Sequence, residues 1–146
     1  MTINTDTSSA AAPSQCPTTP ASAPPAALPA IRTIAMPADT NPAGDIFGGW
    51  LMAQMDLAAG NAAKRRARGR CATVAVEAMT FLSPVSVGDE VSLYAEVVSV
   101  GRTSLRIAVE AWRRVRAGEE TNQVTRAVFT FVAIGPDRRP RPIPET

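Results

Sequence analysis

The chain has 146 residues, 45% of them hydrophobic and 19% charged, with a formal net charge of +2. That length fits one domain with its own core, and the near-balanced charge gives no general pull toward nucleic acid or a membrane surface. There is no histidine, which removes Ser-His-Asp triads, Cys-His pairs and histidine metal sites and leaves carboxylates, lysine, tyrosine or water for proton transfer.

Residues 1–28 are dominated by Ala, Ser, Thr and Pro and hold no aromatic side chain. Such a segment buries too little apolar area to offset its ordering entropy, so a disordered tail is expected. It has neither the cationic start nor the apolar run of an export signal, and no stretch of the chain reaches the roughly 18 apolar residues of a membrane span. A cytoplasmic location is the default expectation. Cys16, in this tail, and Cys71, at the head of an expected strand, form no CxxC pair and read as free thiols in a reducing compartment.

The domain is expected over residues 29–138, followed by a polar, proline-broken tail at 139–146. "IRTIAM" (31–36) is short and rich in branched residues, as a strand is. "PADTNPAGD" (37–45) carries turn residues. A helix is expected over 48–63, because Leu51, Met55, Ala58, Ala59 and Ala62 recur near helical spacing. Its alanines and Gly60 permit a close approach to whatever covers it, Gly69 is a stop signal, and the cations of "KRRARGR" (64–70) suit the negative end of the dipole.

From residue 71 the period becomes two. The inward sets are Val91, Leu93, Ala95 and Val97 in 90–100, and Leu105, Ile107, Val109 and Ala111 in 103–114. Strands 71–82 and 121–134 alternate less strictly and are expected to be covered on both faces. Short links between consecutive strands imply antiparallel pairing. A helix over 48–63 is about 24 Å long, and five strands at about 4.8 Å spacing match it. The expected class is therefore α+β, one antiparallel sheet wrapped around one helix, with free edges that favour self-association.

The chemistry centres on "NPAGDIFGGW" (41–50). Asp45 sits at or just before the first helical turn, where Asp is a favoured cap and glycine a favoured turn residue. A chemical role competes with that reading. Gly48 and Gly49 are a poor helix start for stability alone, and they leave the first amides open to a ligand oxygen. With no histidine, a loop carboxylate is among the few available bases. Hydrolysis of an acyl group fits: the amides polarise the carbonyl, and Asp45 deprotonates a water or attacks directly.

"MPADTNPAGDIFGGWLMAQMD" (36–56) and "TVAVEAMTFLSPVSVGDEV" (73–91), with "GRTSLRIAVEAW" (101–112) and "RPRPIP" (139–144), resemble the bacterial acyl-CoA thioesterases of the hotdog fold, the YciA-like branch. The resemblance implies a long central helix wrapped by a five- to six-stranded antiparallel sheet, and hydrolysis of acyl-CoA to free acid and CoA without a cofactor or metal. It places the catalytic aspartate at Asp45, the polarising amides at Gly48 and Gly49, and a loop-holding amide at Asn41. It implies a hotdog dimer, assembled as a trimer of dimers, in which the Asp45 loop of one subunit faces the strand near Thr80–Pro84 of the other. Phe47, Trp50, Thr80, Phe81 and Leu82 are then substrate contacts, although Trp50, with Met52 and Met55, reads equally as core. The CoA phosphates call for cations. Arg102, Thr103 and Ser104 are the first candidates against a plain hairpin turn, ahead of the 64–70 cations and of Arg138, Arg139 and Arg141. Asp56 and Glu77 read as structural or interface residues. The chain departs from the family at Ala43, where relatives often carry a second Asn. Two competing readings are a hotdog dehydratase or hydratase, whose sites usually need the missing histidine, and a non-catalytic acyl-CoA-binding module.

Overall fold

The computed structural model describes residues 21–146. Residues 1–20 of the tail expected over 1–28, with Cys16, lie outside them. Five strands and one long helix follow in the order β1 (Ile31–Ile34), α1 (Gly48–Ala67), β2 (Cys71–Phe81), β3 (Glu90–Val100), β4 (Ser104–Arg114) and β5 (Thr121–Ala133), with a short 3-10 turn at Pro37–Asp39. All strand pairs are antiparallel, in the sheet order β1-β3-β4-β5-β2. This is the hotdog arrangement: α1 lies along the concave face, and the sheet curls around it.

The core sits between helix and sheet. Leu105, Ile107, Val109 and Ala111 of β4 are all buried, as their period-two spacing predicts, and they meet Val91, Leu93, Phe129 and Phe131 across the sheet face. From the helix come Leu51, Met55, Ala58, Ala59 and Ala63. Close approach is real: a Cβ on Gly60 would stand 3.7 Å from the Phe131 ring. Small helix residues thus let an aromatic row from the sheet reach the helix backbone.

Three elements differ from the sequence expectation. First, α1 runs one turn further, to Ala67, and is about 30 Å long. Lys and Arg are good helix formers and favour the C-terminal end of the dipole, so the cationic stretch extends the helix instead of following it. The left-handed residue after it is Arg68, at φ 54°, one position before Gly69.

Second, β2 is not covered on both faces. It is the edge of the sheet, and Val74 and Val76 are 58% and 40% exposed. Its loose alternation reflects two register shifts, between Thr73 and Ala75 and between Glu77 and Thr80, the second holding Ala78 at φ 54°. Bulges of this kind bend an edge strand and re-aim its side chains.

Third, the closing segment is docked. The Arg141 N–H bonds to the Ala133 carbonyl and the Ile143 N–H to that of Arg102, and Ile143 joins the core. At the other end, residues 21–28 lie against the convex face of the sheet, where the Ala21 N–H donates to Gln123 Oε1 at 2.8 Å.

Candidate active site

The loop before α1 is built by one side chain. Asn41 Oδ1 accepts the backbone N–H groups of Ala43 (3.0 Å) and Asp45 (3.1 Å). The Asn41 N–H donates to the Asp45 carbonyl at 2.7 Å, and the Gly44 N–H to the Asn41 carbonyl at 2.9 Å. Gly44, at φ +90°, supplies the left-handed step that this turn requires. A bridge between Thr40 and Ile46 closes the loop at its base. The amide expected to hold the loop therefore does so from position 41, and Ala43 contributes only its N–H.

The loop presents Asp45 outward. The carboxylate is solvent-exposed and makes no hydrogen bond or ion pair among the described residues. It is not the helix cap: Phe47 occupies the N-cap position, and no side chain caps the helix. The first turn therefore keeps amides that have no partner inside the helix. These unmet donors lie within a few residues of an unpaired carboxylate, and both face solvent.

The two glycines have a packing reason as well. A Cβ on Gly48 would stand 3.2 Å from Phe81 Cζ, and one on Gly49 would stand 3.3 Å from the Phe47 ring. The first helical turn is thus flanked by two aromatic rings, each half-exposed. Beside it opens a cavity of about 350 Å³, bounded by Ile46, Phe47 and Gly48 on one side and by the segment from Phe81 to Val85 on the other. Leu51 and Val124 form its inner wall.

The structure accordingly brings Asn41, Asp45, Phe47, Gly48, Gly49, Phe81 and Leu82 to one end of the protomer. Trp50 is half-buried and packs against the core. Thr80 belongs to the same strand end, and its carbonyl accepts the Thr125 hydroxyl. Arg102, Thr103 and Ser104 are not part of this cluster. Ser104 pairs with Val132, whereas Phe81 pairs with Thr125, and the seven-residue offset along β5 is about 24 Å. The GRTS turn sits instead at the C-terminal end of α1, where the Thr103 carbonyl accepts the Ala133 N–H.

Asp56 accepts a hydrogen bond from Thr73 Oγ1 at 2.6 Å, tying α1 to β2, and Glu77 pairs with Arg106 on the convex face. Both are structural contacts within the protomer. No group of three or more His, Cys, Asp and Glu side chains that could hold a metal occurs among the described residues. No helix among them is long and apolar enough to cross a membrane.

The inner wall of the cavity escaped the sequence reading. Leu51 reads as core, and Val85 and Val124 come from a loop and a strand whose own patterns point to nothing chemical.

A curved antiparallel sheet around one helix, with an acidic loop at the helix start, defines a hotdog protein of the thioester-handling kind. The chain belongs to the Thioesterase superfamily, whose family model matches residues 43–118. It is similar to an uncharacterized acyl-CoA thioester hydrolase of Zymomonas mobilis, 58% identical over 120 residues that span 82% of this chain and 80% of that protein. The acyl-CoA thioester hydrolase YciA of Salmonella typhimurium is 54% identical over 117 residues, 78% of this chain and 88% of YciA. Among solved structures, an aspartate-to-alanine mutant of HI0827, a hexameric broad-specificity acyl-coenzyme A thioesterase, matches with a TM-score of 0.78 at 50% identity, covering 81% of this chain and 87% of that one.

Proposed function

We propose that this chain is an acyl-CoA thioesterase that hydrolyses acyl-CoA to a free carboxylic acid and CoA, with Asp45 as its base. The observation that carries the reading is the placement of an unpaired carboxylate beside an uncapped helix start. A helix cap would have consumed both features. The thioester carbonyl oxygen rests against the first-turn amides around Gly48 and Gly49, which stabilise the oxyanion as it forms. Asp45 takes a proton from a water whose oxygen adds to the carbonyl carbon. Collapse breaks the C–S bond, and the proton passes to the departing CoA thiolate. Asn41 acts as a positioning residue, because both of its accepted bonds fix the Asp45 loop. Direct attack by Asp45 on the carbonyl uses the same geometry. In a single turnover in ¹⁸O water, label in the Asp45 carboxylate identifies direct attack followed by hydrolysis at the Asp45 carboxyl carbon.

The open edge of β2 supports self-association. Two copies pair there as a hotdog dimer. Three such dimers form a hexamer, and HI0827 is itself hexameric. Within one protomer Arg102, Thr103 and Ser104 lie far from Asp45, so a neighbouring subunit supplies them to the CoA phosphates. The reading needs no cofactor, nucleic acid or membrane, and it places the enzyme in the cytoplasm.

The test is thiol release from a panel of acyl-CoA esters, with Asp45→Asn assayed alongside. CoA release by the wild type and its loss in the variant support the reading. Equal rates remove Asp45 from the mechanism, and tight binding without release identifies a non-catalytic module.

A further inference from the structure

We infer that Gln123 is a positioning residue: it ties residues 21–28, which lie across the convex face of the sheet, to the segment that faces the first turn of α1 from the other side. Its effect on catalysis rests on the thioesterase reading above, whereas the mechanical link does not.

The link begins in the register of β5. Ala111 pairs with Thr125 and Trp112 with Gln123, so Val124 is an extra residue between them. A bulge of this kind re-aims side chains and is common beside active sites. Here Gln123 faces the strap on the convex side, and Val124 faces the cavity beside Gly48. Three consecutive residues then hold the end of β2. The Thr125 hydroxyl donates to the Thr80 carbonyl. The Val124 carbonyl accepts the N–H groups of Leu82 and Ser83, at 2.7 and 3.3 Å. The Gln123 carbonyl accepts the Ser83 hydroxyl at 2.8 Å. The Phe81–Val85 wall of the cavity therefore hangs on a stretch that lies close to the start of β5 at Thr121. Strand ends fray unless something ties them down.

The Gln123 side chain is that tie. It is 1% exposed although it sits near a strand end. Its Oε1 accepts the Ala21 N–H at 2.8 Å, and its Nε2 donates to Glu110 Oε1 on β4 at 3.2 Å. Further along the strap, Pro24 lies beside Tyr94 and Trp112, and residues 25–28 run past Ala108 and Val128. A buried amide is costly to leave without partners. Docking of the strap therefore fixes Gln123 between residue 21 and β4, and with it the carbonyls that carry Leu82 and Ser83. The strap acts on the site through the thickness of the sheet and touches no substrate. The segment it steadies supplies a wall and no reacting group, so loosening it weakens substrate binding more than it slows the chemical step.

The experiment uses the full-length chain with Ala21→Pro, which deletes the N–H that Gln123 accepts, and with Ala21→Ser, which keeps it. Hydrogen exchange is read at Leu82 and Ser83, with Ile107 at the centre of β4 as reference. Ala21→Pro speeds exchange at Leu82 and Ser83 about fivefold, the worth of one hydrogen bond, and leaves Ile107 unchanged. Ala21→Ser exchanges like the wild type. In thiol-release assays Ala21→Pro raises KM for an acyl-CoA ester about three- to fivefold with kcat within about twofold, as expected when binding alone is lost. Unchanged exchange at Leu82 and Ser83 in Ala21→Pro overturns the link. Faster exchange at all three positions also overturns it, because the strap then adds only global stability. Faster exchange at Leu82 and Ser83 with KM unmoved overturns the positioning role. No thiol release by the wild type removes the thioesterase reading and the catalytic role of Gln123 with it, while the link still stands or falls by exchange.

Discussion

The two ends of α1 are treated in opposite ways. At the N-terminal end no side chain caps the backbone, two glycines stand in the first turn, and the nearest carboxylate has no partner. At the C-terminal end the protein supplies its own partners, and the Lys64 carbonyl accepts the N–H groups of Arg68 and Gly69. The Arg141 guanidinium donates to the carbonyls of Ala67 (3.0 Å) and Ile134 (3.2 Å). Arg66 reaches in turn to the carbonyls of Pro144 and Glu145, at 2.6 and 3.0 Å. One end is finished by the protein itself, while the other is left for something else to finish. A helix start without partners costs stability, and here that cost falls where a ligand's oxygen and a catalytic carboxylate are proposed to meet.

The sharpest way to break this contrast is Asp45→Asn. It lowers kcat at least a hundredfold, the scale of a lost general base. Because the side chain is exposed and unpaired, stability changes by no more than about 0.5 kcal/mol. A large fall in Tm would mean that the carboxylate supports the fold and that the two ends are alike.

Arg141→Ala tests the opposite end. Loss of two charge-assisted bonds to carbonyls costs about 2–3 kcal/mol, or roughly 8 °C in Tm at about 3–4 °C per kcal/mol. Thermal unfolding followed by circular dichroism reads it, and an unchanged Tm would show that the docked segment adds nothing.

Asn41→Ala comes next. It removes the oxygen that holds Ala43 and Asp45, and it lowers kcat about tenfold through misplacement of the base, with KM little changed. Asn41→Asp keeps an accepting oxygen and recovers most of kcat. Failure of that rescue would assign Asn41 a role other than holding the loop.

The smallest effect is at Cys71, beside the helix C-terminus. Burial pushes its thiol up, and Arg141 and Lys64 pull it partly back. The folded form thus holds its proton more tightly than the unfolded chain. This stabilisation is complete below the ordinary thiol range and is lost as pH rises through the raised value. In a Cys16→Ser background, alkylation at pH 8 is slower in the native than in the denatured protein, and equal rates would contradict the burial.

Much of the fold can be read from residue patterns because β3, β4 and β5 are central strands with a buried face, so burial imposes alternation on their own residues. The position of β2 cannot be read this way. An edge is defined by a missing neighbour, and no residue of β2 records that. The docking of residues 139–145 was also hidden, since proline-rich sequence reads as tail and the binding groups are main-chain carbonyls. At the site, Asp45 stood out because histidine was absent and glycine was in excess. The inner wall of the cavity did not, because Leu51, Val85 and Val124 meet only in three dimensions.

The bonds that finish the helix C-terminus join residues far apart along the chain: Arg141 and Ala67 are 74 positions apart, and Arg66 and Glu145 are 79. Contacts of such long range form late, after the sheet between them has closed. A helix synthesised early therefore has its local cap on Lys64 but gains the Arg141 clasp on Ala67 only near the end. Interactions that form after the transition state govern unfolding and leave the folding rate almost untouched. In kinetic terms the closing segment is a latch: weakening it at Arg141 speeds the opening of the native protein far more than it slows its formation.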